Sequence, residues 1–178
     1  LQPDDHTVDP IASPRNSNWF LLGYTARRAI TFLAQQEEVD PDRLGITGFS
    51  MGGNITSYAS IDPRLKAAIP MVGGTGFLTE DLLGHPNSSG HARYEEADLC
   101  FRTTDSASFY PHTRCPVLFV NATNDFHGIF DRSYRCAGLL PHHDFGFSYL
   151  LHYNHTLNPE QLSLIHISSP RDWLQSRM

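Results

Sequence analysis

Gly48-Phe49-Ser50-Met51-Gly52-Gly53 limits what this chain can become more than any other stretch does. Leu44-Gly45-Ile46-Thr47 before it reads as a short apolar strand, and Asn54 to Ser60 after it as a helix. The six residues must then make a strand-to-helix turn that only small side chains permit. In a Gly-x-Ser-x-Gly turn the serine is forced into a strained backbone conformation, and side chains two positions away would strike the adjoining strand and helix. Ser50 is therefore predicted to stand at the C-terminal end of a strand as a nucleophile, with the Met51 N–H directed at a developing oxyanion. The stretch lacks the Lys-Ser/Thr ending of a phosphate loop, and its glycine spacing is not that of a dinucleotide site. A tight turn with no chemistry is the other reading of the same residues.

Around this turn the pattern alternates helix and strand. Residues 1 to 18 carry prolines and aspartates without periodicity and read as a loop. Trp19 to Gln36 places Phe20, Tyr24, Ala26, Ile30, Leu33 and Ala34 near helical spacing, with Asn18 as its N-cap and the turn Glu38 to Arg43 after it. Leu65 to Val72 is a second apolar strand ending in Gly73-Gly74. Strand, helix, strand in this order predicts a right-handed crossover in an open, mostly parallel α/β sheet flanked by helices. Cys115 to Val120 is the next strand, Phe130 to Leu140 a helix, and Phe145 to His152 the last strand. Residues 75–114 break the rhythm and read as an excursion over the site, with short helices near Ala92 to Phe101 and Ser106 to Tyr110. A solvated insertion is the alternative. Trp19, Tyr110 and the aromatics of this insertion are candidates for the floor of an acyl or sugar pocket, or for plain packing.

A serine hydroxyl needs a base, and the base needs a carboxylate to orient it. Asp125 and His155 each follow a strand, which puts them on the edge that carries Ser50. Asp125 could instead cap the helix that follows, and Asp131, inside that helix, is a weaker candidate for the acid. His152 and His155 make a His-x-x-His pair, but that spacing gathers metal ligands on a helix, whereas here it straddles a strand end. No metal and no cofactor are expected.

The run Val39-Asp-Pro-Asp-Arg-Leu-Gly-Ile-Thr-Gly-Phe-Ser-Met-Gly-Gly53, with Ile61-Asp-Pro-Arg-Leu-Lys-Ala-Ala68 downstream, resembles the dienelactone hydrolase, acetyl xylan esterase and prolyl oligopeptidase group of α/β-hydrolases. The resemblance covers about residues 19 to 157. It implies Ser50 as nucleophile, Asp125 as orienting acid, His155 as general base and the Met51 N–H as oxyanion donor. It also implies early strands and a second oxyanion donor upstream of Leu1. The implied reaction is ester hydrolysis through an acyl-serine, on a small-molecule or carbohydrate ester. Peptide cleavage of the prolyl oligopeptidase type and a non-catalytic binding module are the alternatives. Here Asn121-Ala-Thr-Asn leads into Asp125 in place of a Gly-containing turn, and Asn154 in place of Gly precedes His155.

The 178 residues carry a net charge of −6 and no Lys/Arg run, which argues against nucleic acid or an anionic membrane as partner. No apolar run approaches the ~20 residues that cross a bilayer. Cys100, Cys115 and Cys136 have no metal-type pairing and leave one over if two are bridged. The chain opens on Leu1 in a polar stretch without an initiator Met, so the natural N-terminus is expected upstream and the compartment stays open. Leu162-Ser-Leu-Ile-His-Ile-Ser168 is the translation of CTG TCT CTT ATA CAC ATC TCC, which looks like a sequencing-library adapter. Residues 1–161 are expected to be a partial catalytic domain, and 162–178 a non-native tail; a final amphipathic helix is the other reading.

Overall fold

A computed structural model describes residues 18–76 and 102–162. The expected helical stripe forms α1, Asn18–Leu33, with Asn18 as its first described helical residue and not its cap. Gly23 and Ile30 are its buried residues. Gly23 is needed because a Cβ there would come within 2.9 Å of Tyr58 Cβ, and Trp19 meets the same tyrosine edge-on with ring centroids 6.2 Å apart. Trp19 thus packs α1 against Tyr58.

Four strands, β1 (Leu44–Phe49), β2 (Leu65–Met71), β3 (Val117–Ala122) and β4 (Phe145–Leu150), form one sheet in that spatial order, every pair parallel. Parallel strands need crossovers. α2 (Met51–Ala59) supplies one between β1 and β2, and α3 (Phe130–Ala137) one between β3 and β4. All four strands therefore finish on one edge, where Ser50, Gly73, Asp125 and His155 follow in turn. The core between sheet and helices holds Ile30, Leu44, Ala59, Leu65, Ala68, Val117, Phe119, Cys136 and Ala137.

Element ends differ from the sequence reading where hydrogen bonding decides them. β3 begins at Val117 and not Cys115, since Pro116 has no N–H for the ladder. It continues through the buried Asn121 and Ala122, so the acid loop is only Thr123-Asn124-Asp125. β4 stops at Leu150, and His152, at φ 62°, has left the strand. α3 closes at Ala137, short of Leu140.

Residues 102–114 are not a solvated insertion. Thr104, Asp105, Ser106, Tyr110 and Thr113 are all buried; Ser106 and Tyr110 open the 3-10 turns Ser106–Ser108 and Tyr110–His112, which Asp105 and Thr113 flank. Tyr110 donates its hydroxyl to Gly74 O and packs on Phe119 with centroids 5.4 Å apart, so it is a core residue and not a pocket floor. Burial, reinforced by the neighbouring Cys136, Asp105 and Tyr58, raises its pKa well above the usual phenol value. The helix expected near 92–101 lies outside the described residues, as do Cys100 and residues 163–178. Cys115 and Cys136 are buried free thiols. A last helical turn over 159–162 buries Gln161, whose Nε2 donates to Asn121 O and Ser148 O at 3.4 Å each. Among the described residues no helix is long and apolar enough to cross a membrane.

Candidate active site

The turn after β1 is tight for reasons visible in the neighbouring backbone. Ser50 adopts φ 58°, ψ −117°, a conformation few non-glycine residues accept. It is held there by its N–H donating to Met71 O at 2.8 Å and by Gly53 N–H donating to Ser50 O at 2.8 Å. A Cβ at Gly48 would overlap Gly52 O, and one at Gly53 would lie 2.9 Å from Gly73 C, so both positions need glycine. Val72, just past β2, is a β-branched residue at φ 43°, fully buried and fixed by its N–H donating to Val120 O at 2.8 Å. Such a residue costs about 1–3 kcal/mol of strain. The strained residues Ser50 and Val72 sit side by side at the sheet's C-terminal edge, where the chain from Val72 into Gly73 closes on the Ser50 carbonyl.

Three side chains from three strand ends meet here, those of Ser50, Asp125 and His155. Asp125, with its side chain wholly inaccessible, accepts at Oδ1 from His127 N–H at 2.7 Å and from Gly128 N–H at 3.0 Å. It therefore caps its own loop and not α3, whose N-cap is Ile129. The same carboxylate lies 3.0 Å and 3.1 Å, through its two oxygens, from His155 Nδ1. A carboxylate can only accept, so Nδ1 carries a proton and, in the neutral ring, Nε2 holds a lone pair. That lone pair is directed at Ser50 Oγ, 2.7 Å away. The arrangement can draw a proton off the serine hydroxyl and keep the resulting imidazolium beside a buried negative charge.

Met51 opens α2, and N–H groups in a helix's first turn have no partner within the helix. Asp131 sits in the first turn of α3 and takes no part in this chain of bonds. His152 is exposed and is anchored by its backbone N–H to Thr123 Oγ1 at 2.9 Å. Both ring nitrogens of His155 are engaged by Asp125 and Ser50, which leaves none to share a metal with His152. Among the described residues no group of three His, Cys, Asp or Glu is placed to hold a metal ion.

Sequence reasoning missed three neighbours. Phe49 and Phe126 pack on the His155 ring with centroids 5.4 Å and 4.8 Å away, and Phe126 stays 68% exposed. His127 approaches the same ring edge-on at 5.8 Å. Their only signal was adjacency to Ser50 and Asp125 in the chain.

No curated protein matches the chain in sequence. Among solved structures, an acetyl xylan esterase from Paenibacillus sp. R4 superposes with TM-score 0.72 at 19% identity, over 86% of this chain and 52% of its own. Acetyl xylan esterase 1 from Thermoanaerobacterium sp. JW/SL YS485 gives 0.67 at 16% identity, over 85% and 52%. Dipeptidyl peptidase 4 from Porphyromonas gingivalis gives 0.64 at 15% identity, over 89% and 23%. The chain thus spans about half, or less, of the structures it resembles, and at these identities the likeness is one of fold. The model of the prolyl oligopeptidase family matches residues 27–172. The chain accordingly belongs to the prolyl oligopeptidase family, within the α/β-hydrolase superfamily.

Proposed function

We propose that the whole protein is a serine hydrolase acting on carboxylic esters, with Ser50 as nucleophile, His155 as general base, Asp125 as the acid that orients it and the Met51 N–H as one oxyanion donor. The observation that carries this reading is the continuous chain Asp125–His155–Ser50, with spacings of 3.0 Å and 2.7 Å. As Ser50 Oγ attacks an ester carbonyl, its proton passes to His155 Nε2. The tetrahedral oxyanion is met by the Met51 N–H, and the imidazolium then protonates the departing alcohol. Water, deprotonated by the same Nε2, releases the acid from acyl-Ser50. Asp125 holds its charge and the ring's tautomer throughout.

An ester substrate, such as an acetylated carbohydrate, is favoured by the motif's resemblance to acetyl xylan esterases and by their TM-scores of 0.72 and 0.67, against 0.64 for the dipeptidyl peptidase. The family match favours a second reading, cleavage of peptides by the same residues. In both readings the chain is part of a larger catalytic domain, since it spans about half, or less, of the structures it resembles.

The test is to treat the whole protein with a fluorophosphonate and map the label, then compare turnover of p-nitrophenyl acetate, acetylated xylan and dipeptide anilides. Label on Ser50 with ester turnover supports the proposal. Dominant anilide cleavage moves it to the peptidase reading, and absence of label with no turnover overturns both.

A further inference from the structure

Behind Ser50, α2 turns a buried amide toward the loop that carries the acid. Asn54, four residues past Ser50 and 3% exposed, accepts at Oδ1 from Gly74 N–H at 2.7 Å and from Ser106 Oγ at 3.4 Å. A backbone N–H can only donate, so this end of the amide is the oxygen, and Nδ2 is the end 3.4 Å from His127 Nε2. An amide NH2 donates, so His127 Nε2 is a lone-pair nitrogen. His127 is two residues past Asp125: its N–H donates to Asp125 Oδ1 at 2.7 Å and its carbonyl accepts from Thr75 Oγ1 at 3.3 Å. Its ring stands at 82° to that of His155. Asn54 thereby joins the Ser50 helix, the segment after β2 and the acid loop through one side chain.

We infer that Asn54 and His127 are positioning residues, setting the separation of the Ser50 turn from the Asp125 loop and the tilt of the His155 ring. The inference rests on the hydrolase reading above. In this role neither residue needs to exchange a proton with Ser50, and the effect runs through geometry. Misplacing a reacting group by about 1 Å costs on the order of 10²-fold in rate.

The experiment uses the whole protein with Asn54→Leu, His127→Leu and His127→Gln, reading kcat and KM on p-nitrophenyl acetate, thermal unfolding, and the imidazole nitrogens by NMR. Asn54→Leu and His127→Leu are expected to lower kcat on the order of 10²-fold with KM little changed. His127→Gln, whose amide oxygen can accept from Asn54 Nδ2, recovers most of that loss. In the unaltered protein the His127 signal is that of the tautomer with Nε2 unprotonated. The partly exposed His127 variants keep the test valid if Asn54→Leu does not fold. Unchanged kcat in His127→Leu, equal impairment of His127→Gln and His127→Leu, or a proton on Nε2 overturns the inference while the hydrolase reading stands. An unaltered protein with neither turnover nor label at Ser50 overturns the hydrolase reading, and the positioning role with it.

Discussion

His155 Nε2 lies 2.7 Å from Ser50 Oγ although 105 positions separate the two residues in the chain. They meet because β1 and β4, the outer strands of the described sheet, end on the same side as β2 and β3. The first expectation concerns that contact. Ser50→Ala removes the oxygen proposed to attack and little else, because the strained turn is held by backbone bonds to Met71 and Gly53. Turnover of p-nitrophenyl acetate should fall below a few per cent with thermal unfolding unchanged. Larger residual turnover would mean that another residue attacks.

Asp125→Asn should lower kcat by orders of magnitude. An amide facing His155 can donate to Nδ1, and the ring would then carry its proton at Nε2, unable to accept from Ser50. His155→Ala should be comparably damaging, since residues acting as a unit are not additive. His152→Ala should be far milder, because its anchoring contact is made by the backbone. Kinetics of the three variants side by side would locate the base three residues earlier if His152→Ala were the harmful one.

Burial pushes the Cys115 thiol up to about 11 and the Cys136 thiol up to about 12, from an ordinary value of 9.0. Thiolate is the species that alkylates. At pH 8 iodoacetamide should leave both untouched in the folded protein and modify both after unfolding, as mass spectrometry would show. The linkage has a sign: a raised value in the folded state stabilises below pH 9, and that contribution is lost as pH climbs from 9 toward 11–12.

Asp62, 3% exposed, receives the Arg64 guanidinium through Nε at 2.8 Å and Nη2 at 2.7 Å, with Arg27 Nε 3.5 Å away. The Arg64 hydrogen bonds hold its carboxyl below the ordinary 3.8. A lowered value stabilises above pH 3.8 and is lost as pH falls through the folded-state value. Asp62→Asn should therefore flatten the acid limb of the stability curve as well as lower stability at neutral pH. Urea unfolding at pH 7 and pH 3 would show it: an equal loss at both would mean that the carboxylate's charge contributes nothing.

Much of the architecture was legible locally. Glycines at 48, 52 and 53 announce the turn because backbone atoms leave no room for Cβ at 48 and 53, and apolar runs separated by helices announce a parallel sheet. Asp125 and His155 stood out because each follows a strand, and parallel strands deliver such residues to one edge. Element ends were less legible: Pro116 delays β3, and the pairing of Thr123 N–H with Leu150 O trims the acid loop. Residues 102–114 misled because their Ser, Thr, Pro and aromatic content suits a surface loop equally well.

By itself the sequence determined the kind of fold and which hydroxyl, carboxylate and imidazole share an edge, since these follow from turn sterics and strand order. Only the tertiary structure decided their spacing, the tautomer of His155, the caging of Asp125 by its own loop, and the contact of Asn54 with His127, 73 positions away. Tyr110 belongs to the same class, being assigned to the core by a hydroxyl bond to Gly74 and a ring contact with Phe119. Such contacts join residues distant in the chain, and side-chain direction at that range is set by strand register and packing, which no local pattern encodes.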